Sequence, residues 1–425
     1  MKKRTVIIAL LLAIIMIASV VLVACNDAPT NDGNKPGNGG NGGNNNTDGG
    51  QHYDLTVWCA EADKEMIESM LVDYELENDH NTYNFTIETV GEDTSGSRVL
   101  EDPDVAADVF SFASDQLGNL VKYNAIMAVP DAYKPQVQAQ INEAQFAATY
   151  NGTLYAFPYT YENCFLYYNK SLLTASQVTS MENLLKATTS AETNIAMDMG
   201  DSYYTSIFLF TAGTRIFGEN GNDVNDVDFD NSSSRMACQY IESLGSQAKF
   251  KSVSEQDQAA ALKNGTVASI ISGPHMISTF QTALGKNFAV AKLPTIELQK
   301  GKPEQMICFS GVKLYGVNRV TSHPEEAAKV AAYLSNTDNQ AIRLDERAFC
   351  PTADELFADP SIESIDEVNV VIAQSEYSIL KPALPELKPY WDAMGAFLTG
   401  VFTKNKPSSV WSDELQAIEK KVKNG

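Results

Sequence analysis

The sequence predicts an α/β protein whose folded part is divided into two lobes. Segments typical of strands alternate with segments of helical spacing along most of the chain. Once the N-terminal segments are set aside, about 370 residues remain, which is more than one hydrophobic core usually serves. No second low-complexity linker divides these residues. Two lobes without a linker indicate a chain that passes between them more than once.

The N-terminal segment has the layout of a secretory signal. Three basic residues precede an apolar run over residues 6–18. Residues 22–25, Leu-Val-Ala-Cys, resemble the lipobox at which bacterial lipoproteins are processed. We therefore expect a signal peptide over residues 1–24 and a lipidated N-terminus at Cys25. A retained signal anchor with an incidental cysteine is the alternative.

The segment after the predicted lipidation site is a candidate tether. Residues 26–51 consist almost entirely of Asn, Gly, Asp, Thr and Pro. Such a composition cannot bury a core, and it is typical of flexible linkers. We expect residues 25–52 to connect the lipid to the folded part, which would lie on the extracellular face of the cell membrane.

The charge of the chain excludes some classes of partner. Lys and Arg number 31 against 54 Asp and Glu, and the net charge is −23. Nucleic acid is therefore not an expected partner, because its phosphates repel an acidic surface. Anionic lipid headgroups repel it for the same reason, which leaves the lipid as the expected membrane attachment. We expect a monomer.

The cysteines and histidines predict no cofactor and no metal site. Beyond Cys25 there are five cysteines, an odd number without CxxC spacing: Cys59, Cys164, Cys238, Cys308 and Cys350. Cys59 and Cys164 lie in runs typical of strands, so we expect them to be small buried hydrophobic residues. One disulfide remains open. The four histidines do not pair at metal-ligand spacing.

Helical periodicity is clearest near the two ends of the folded part. Residues 55–58 predict a strand, and the helix after it has an apolar stripe, formed by Met66, Ile67, Met70, Leu71 and Tyr74. The last helix has a similar stripe, formed by Trp411, Leu415, Ile418 and Val422. Two capping boxes are predicted at helix starts, Ser322 with Glu325 and Thr352 with Glu355.

Several stretches, taken in order, resemble the bacterial extracellular solute-binding proteins of the maltodextrin-binding family. They are residues 55–58, 107–121, 150–173, 261–274 and 293–295. The resemblance implies a two-lobed periplasmic-binding-protein fold, with a ligand cleft and about three hinge crossovers. The matching positions imply an N-terminal lobe of residues 53–160 and 297–358, and a C-terminal lobe of residues 163–293 and 361–425.

The resemblance also implies a function. The chain would capture an oligosaccharide, a malto-oligosaccharide above all, for the permease of an ABC transporter, and it would not be an enzyme. A binding protein for a polyamine or another small cation is an alternative, because carboxylates and tyrosines can also enclose an amine. A surface glycoside hydrolase is a second alternative, since two carboxylates and a stacking aromatic ring would serve it too.

Carboxylates and aromatic rings at matching positions form the predicted ligand site, because sugars present hydroxyl groups and weakly apolar ring faces. The predicted ligand-binding residues are Trp58, Lys64, Phe112, Asp115, Tyr159, Tyr161, Glu162, Asp201, Tyr203, His275 and Trp391. Glu162 is the strongest candidate because the resemblance places it at a crossover between the lobes. His275 and Gly395 depart from the family pattern, which has a tryptophan and a basic residue there, so the glycan stays open.

Structural roles are the alternatives for most of these residues. Large aromatic residues such as Trp58 and Phe112 often fill the core at strand ends. Asp115 and Asp201 are candidate helix N-caps. The remaining alternatives are a solvated hinge residue for Glu162, a helix-packing anchor for Trp391 and a polar loop residue for His275.

Overall fold

The computed structural model describes residues 50–219 and 221–424. The predicted signal peptide, Cys25 and nearly all of the predicted tether lie outside these ranges. Within the ranges, no helix has both the length and the apolar composition needed to cross a bilayer.

Strands in the described residues form two main sheets and two short hairpins. Their bounds are β1 (His52–Cys59), β2 (Thr82–Thr89), β3 (Val109–Ala113), β4 (Thr149–Tyr150), β5 (Thr153–Leu154), β6 (Phe157–Asn163), β7 (Phe165–Asn169), β8 (Ile195–Met197), β9 (Phe250–Ser252), β10 (Ser269–Ser272), β11 (Phe288–Ala291), β12 (Thr295–Gln299), β13 (Lys302–Gln305), β14 (Cys308–Val317) and β15 (Ser378–Leu380).

Helices separate most of the strands that belong to the main sheets. Their bounds are α1 (Lys64–Glu77), α2 (Ser95–Glu101), α3 (Leu117–Lys122), α4 (Lys134–Gln138), α5 (Asn142–Ala147), α6 (Met181–Lys186), α7 (Ser202–Thr211), α8 (Ser232–Leu244), α9 (Glu255–Lys263), α10 (Ile277–Leu284), α11 (Pro324–Leu334), α12 (Thr337–Arg347), α13 (Asp354–Phe357), α14 (Asp366–Ser375), α15 (Leu387–Phe402) and α16 (Trp411–Lys423).

The first sheet has six strands, in the order β15-β14-β3-β1-β2, and β6 pairs with β14 as well. β1 lies parallel to β2 along its whole length, from His52 opposite Thr82 to Cys59 opposite Thr89. β14 runs antiparallel to β3 and β6 and parallel to β15. Strands from both halves of the sequence therefore meet on β14.

The second sheet has five strands, in the order β11-β7-β10-β8-β9. β7 runs antiparallel to β10 and β11, and β8 runs parallel to β9 and β10. Helices α7, α8, α15 and α16 pack against one another beside this sheet and share its hydrophobic core.

Both predicted apolar stripes are confirmed. Helix α1 buries Met66, Ile67, Met70, Leu71 and Tyr74. Helix α16 buries Trp411, Leu415, Ile418 and Val422. A repeat of 3.6 residues places each set on one side of its helix, where it can pack against the core.

The two predicted capping boxes are wrong. His323 is the N-cap of α11 and Ala353 is the N-cap of α13, and neither helix start has a side-chain capping bond. Thr352 Oγ1 instead donates to Gln140 Oε1, at 2.7 Å. The Thr352 hydroxyl group therefore bonds to a residue distant in sequence and does not cap the helix.

The chain passes between the two main sheets at three adjacent places. β6 in the first sheet runs into β7 in the second, with only Cys164 between them. The chain returns to the first sheet at β14 and leaves it again after β15, towards α15. Because β6, β14 and β15 are neighbours in the first sheet, the three passages lie side by side.

The residue boundaries of the two lobes stay a prediction. One strand within the range 361–425, which the sequence placed in the C-terminal lobe, joins the first sheet: β15 pairs with β14. This strand has only three residues, too few to show a periodicity that reveals its sheet.

All five cysteines in the described residues are buried and free. The expected burial of Cys59 and Cys164 is confirmed. No disulfide bond is formed among these five cysteines. Burial raises the pKa of Cys59 to about 12, with a further increase from Asp63, and it raises the pKa of Cys238 to about 12. These two thiols therefore remain protonated and unreactive at neutral pH.

Helix α3 lies close to the segment that follows β15. A Cβ atom on Gly118 would come within 2.0 Å of the Ala383 carbonyl oxygen and 3.0 Å of Pro385 Cδ. No side chain fits here unless the backbone moves. The lack of a side chain at Gly118 therefore allows the segment after β15 to lie against helix α3.

We predict that Gly118→Ala lowers the free energy of unfolding by about 1–3 kcal/mol, the usual cost of overpacking. The loss should appear although alanine favours a helix over glycine by about 1 kcal/mol. Chemical denaturation measures the difference. Gly200→Ala is the control, because its Cβ would meet only the Asp198 carboxylate, at 3.1 Å. Equal stability of Gly118→Ala and the unmodified protein would contradict the close approach.

Candidate functional site

A cavity of about 470 Å³, here called the cleft, is lined by residues that follow strands of both sheets. Its lining residues are Ala60, Gly91, Glu92, Asp93, Ala113, Asp115, Glu162, Asp201, Ser202, Tyr203, Tyr204, Glu255, Gly273, Pro274, His275, Lys313, Lys381 and Trp391. The ends of strands in open α/β sheets are common positions for ligands.

A second groove, of about 580 Å³, is larger but has different chemistry. Its lining includes Lys122, Tyr123, Lys388 and Lys421. The Lys388 side chain is 70% exposed and Tyr123 is 64% exposed. The cleft instead gathers nearly buried carboxylates, ammonium groups and aromatic rings. Such convergent polar groups are typical of small-molecule sites, so the cleft is the candidate site.

The structure brings six of the eleven predicted ligand-binding residues together in the cleft. They are Asp115, Glu162, Asp201, Tyr203, His275 and Trp391. The other five predicted residues do not line it. They lie in the core, on the surface or behind the wall of the cleft.

Trp58 and Phe112 are core residues. Trp58 is 4% exposed and Phe112 is fully buried. Trp58 Nε1 donates to Glu88 Oε2 at 2.8 Å, and the Arg98 guanidinium lies over the indole. Lys64 begins helix α1 on the surface and pairs with Glu68, at 3.9 Å.

Tyr159 and Tyr161 are buried in β6 and act behind the cleft wall. The Tyr159 hydroxyl donates to Glu92, which lines the cleft. The Tyr161 hydroxyl lies 3.3 Å from Ser378 Oγ, across the passages between the sheets. Tyr159 therefore positions a cleft carboxylate without lining the cleft.

Five charged side chains form an alternating series, here called the charge chain. Lys313 Nζ lies 2.9 Å from Glu92 Oε2 and 3.7 Å from Glu162 Oε2. Lys381 Nζ lies 3.9 Å from Glu162 Oε1 and 3.1 Å from Asp115 Oδ1. The side chains are between 8% and 17% exposed. A buried charge destabilises the fold unless it has a partner of opposite charge. The ion pairs therefore hold these five side chains in position.

The pairing keeps the first ion pair of the charge chain ionised. Burial alone would raise the pKa of Glu92, but the Lys313 ammonium and the Tyr159 hydroxyl outweigh it and lower that pKa. Burial alone would lower the pKa of Lys313, but Glu162 and Glu92 outweigh it and raise that pKa. Both groups are therefore charged at neutral pH.

Glu92, Lys313 and Lys381 are not among the predicted ligand-binding residues. Glu92 lies in the loop after β2, and Lys381 follows β15 directly. Lys313 could have been recognised as a site residue, because it is a charged residue in a strand whose other residues are all buried. A lysine in a buried strand needs a partner carboxylate.

Helix capping is the alternative role for Asp115 and Asp201, and only Asp201 caps a helix. Asp201 is the N-cap of α7 and accepts from the Tyr203 amide at 2.7 Å. Asp115 caps no helix: it lies inside the 3₁₀ turn Ser114–Gln116, and the N-cap of α3 is Gln116.

Aromatic rings, those of Tyr203 and Trp391, also line the cleft. Phe309, on β14, packs edge-on against Trp391 at 5.2 Å between ring centroids and is stacked on Tyr203 at 6.2 Å. Trp391 is half-buried and its carbonyl accepts from Ser202 Oγ. Trp391 therefore both packs in α15 and lines the cleft.

His275 and Gly395 have clear local roles. His275 Nε2 lies 2.9 Å from Glu255 Oε2, and this hydrogen bond lowers the pKa of Glu255. A Cβ on Gly395 would lie 3.3 Å from the Gly200 carbonyl oxygen. Little space is therefore left for the basic residue that the family pattern has there.

Among the described residues, no group of three or more His, Cys, Asp or Glu side chains is arranged to hold a metal ion. Three of the cleft carboxylates, Glu92, Asp115 and Glu162, are paired with lysines instead. They can accept hydrogen bonds from a ligand, and the lysines can donate them.

Comparisons with known proteins identify the relatives of this chain. The family model described as bacterial extracellular solute-binding protein matches residues 70–368. The galactooligosaccharide-binding protein of Bacillus subtilis (strain 168) is 25% identical over 331 residues, 74% of this chain and 77% of that protein. The maltodextrin-binding protein MdxE of the same strain is 26% identical over 388 residues, 87% of this chain and 90% of that protein.

Solved structures share the fold. The maltodextrin binding protein MalE1 from L. casei BL23, without ligand, has a TM-score of 0.78 at 26% identity, over 88% of this chain and 100% of that one. MalX from Streptococcus pneumoniae, in complex with maltopentaose, has a TM-score of 0.75 at 22% identity, over 86% of this chain and 99% of that one. The predicted two-lobed α/β fold is thereby confirmed.

We predict that Asp201→Ala lowers the free energy of unfolding by about 0.5–2 kcal/mol, because it removes the N-cap of α7. Asp201→Asn is the matched variant, since asparagine caps a helix about as well as aspartate while carrying no charge. Thermal unfolding without ligand should therefore show a loss for the alanine variant alone. Equal losses in both variants would mean that the charge, not the cap, stabilises the helix.

Proposed function

The chain belongs to the bacterial extracellular solute-binding proteins, and we propose that it binds a malto-oligosaccharide in the cleft and delivers it to the permease of an ABC transporter. The observation that carries the proposal is the combination of the charge chain with Tyr203 and Trp391 in one cavity. Carboxylates and ammonium groups match both roles of sugar hydroxyls, and aromatic rings match the apolar faces of pyranose rings. The names of the relatives support the same ligand class.

Binding would work by a shift between open and closed lobes. The cleft is lined by residues that lie in strands of the first sheet or follow strands of both sheets, so a ligand that contacts both sides favours the closed arrangement. The three passages between the sheets lie side by side and can act together as a hinge. The closed form would be the one that the permease recognises. No covalent step is part of this mechanism.

The location of the protein is also part of the proposal. We propose that the chain is exported by residues 1–24, lipidated at Cys25 and held by a flexible tether on the extracellular face of the cell membrane. The lipobox resemblance and the Asn-rich and Gly-rich composition support this location. A monomer without nucleic-acid partners fits a net charge of −23.

We predict that calorimetry detects binding of maltotetraose and no binding of spermidine. The reason is that hydroxyl groups can pair with both the carboxylates and the lysines of the charge chain, whereas a charged amine can pair with the carboxylates alone. Chromatography of the same samples should show uncleaved maltotetraose after prolonged incubation. Spermidine binding without sugar binding would favour the cation alternative, and shorter sugar products would favour the hydrolase alternative.

We predict that tryptophan fluorescence changes when the sugar binds, because Trp391 lines the cleft. Trp58 and Trp411 are the other tryptophans of the chain and are 4% and 3% exposed. Trp391→Ala should remove most of the change and weaken binding roughly threefold to tenfold, the range expected for a lost ring contact. Trp58→Phe and Trp411→Phe are the controls and should keep the change. If Trp391→Ala binds with unchanged affinity, Trp391 is a packing residue only.

We predict that Cys25→Ser abolishes membrane attachment, because the thioether bond to the lipid needs the cysteine sulfur. Fractionation of cells that express the variant should place it in the soluble fraction, whereas Cys59→Ser, a buried position, should stay with the membrane. Membrane retention of Cys25→Ser would refute the lipid anchor.

A further inference from the structure

Two of the three carboxylates predicted for the ligand site already have cationic partners. Glu162 lies between two ammonium groups, with Oε2 3.7 Å from Lys313 Nζ and Oε1 3.9 Å from Lys381 Nζ. Asp115 Oδ1 lies 3.1 Å from Lys381 Nζ. Lys381 is therefore shared by two of the three carboxylates that the sequence placed in the site.

The position of Lys381 is set by its neighbours in the first sheet. Leu380, the last residue of β15, pairs with Ser310, and Gly311 pairs with Glu162. The Lys381 side chain consequently passes over Gly311, where a Cβ atom would come within 2.6 Å of Lys381 Cε and 3.1 Å of Nζ. The absence of a side chain on Gly311 makes room for this lysine.

Lys381 also reaches the aromatic side of the cleft. Its Nζ lies 5.6 Å from the centroid of the Tyr203 ring, within the range of a cation–π interaction. The side chain is only 8% exposed. One ammonium group thus contacts two carboxylates and one aromatic ring, which together are the groups that would enclose a free amine.

We propose that Lys381 is a specificity-determining residue whose ammonium group occupies the position of a cationic ligand and restricts the cleft to neutral, hydroxyl-bearing ligands. The exclusion of cations follows from the described contacts alone. The preference for hydroxyl groups rests on the proposed function.

The physical reason is competition within the cleft. A tethered ammonium is present at high effective concentration, so a free amine must displace it from both carboxylates. A hydroxyl group has no such conflict, because it can accept from the lysine and donate to a carboxylate at once. Without Lys381, the cleft would hold Asp115 and Glu162 beside Asp93, Asp201 and Glu255, an arrangement that attracts cations.

The test compares putrescine and maltotetraose binding by the full chain. Lys381→Met removes the charge and nearly keeps the length of the side chain. We expect this variant to bind putrescine about tenfold to a hundredfold more tightly than the unmodified protein, the gain expected for new charge-assisted hydrogen bonds. Lys388→Met makes the same charge change on an exposed side chain and should leave putrescine affinity unchanged.

Two further variants keep the test decisive. Lys381→Met combined with Asp115→Asn should lose most of the gained putrescine affinity, because Asp115, the carboxylate that Lys381→Met leaves without an ammonium partner, is then neutral. Gly311→Ala forces the ammonium away while preserving its charge, so it should also gain putrescine affinity, even if Lys381→Met does not fold. Thermal unfolding without ligand identifies the folded variants.

The outcomes separate this proposal from the proposed function. Unchanged putrescine affinity in folded Lys381→Met and Gly311→Ala overturns the role of Lys381, even when the unmodified protein binds maltotetraose. Equal gains in Lys381→Met and Lys388→Met also overturn it, because they would reflect net charge alone. Absence of maltotetraose binding in the unmodified protein overturns the sugar function, while a putrescine gain confined to the cleft variants still supports the exclusion of cations by Lys381.

Discussion

The rest of the cleft depends on the pairing of nearly buried charges in the charge chain. Three carboxylates and two ammonium groups alternate, and none of them can lose its partner without leaving a desolvated charge. Their backbone positions lie in or directly after different strands of the first sheet, or in the loop after β2. The pairing therefore constrains the spacing of the segments that carry the site, and it does so at the passages between the sheets.

One strand connects the charged and the aromatic sides of the cleft. Phe309, Gly311 and Lys313 alternate along β14 and so point to the same face. Phe309 packs against Tyr203 and Trp391, Gly311 leaves space for Lys381, and Lys313 pairs with two carboxylates. A movement of β14 would change ionic and aromatic contacts together. This coupling is what a hinge next to a binding site requires.

Local patterns predicted the fold well and the site in part. The stripes of α1 and α16 follow from helical periodicity, which depends only on neighbouring residues. The Thr352 capping box failed because its hydroxyl bonds to Gln140, a contact that no local pattern contains. Trp58 shows the same limit: its position near the end of a strand suits a ligand site or a core equally, and only packing decides between them.

The sequence by itself determined the alternation of strands and helices, the apolar stripes of α1 and α16, the excess of acidic residues, and a family resemblance that identified Glu162 and Trp391 as ligand-site residues. Tertiary structure alone decided that Tyr159 supports the cleft from behind, and that Lys313 and Lys381 share its carboxylates. The physical reason is that ion pairing acts over a few ångströms in space. Its partners here are far apart along the chain and become neighbours only when β6, β14 and β15 align.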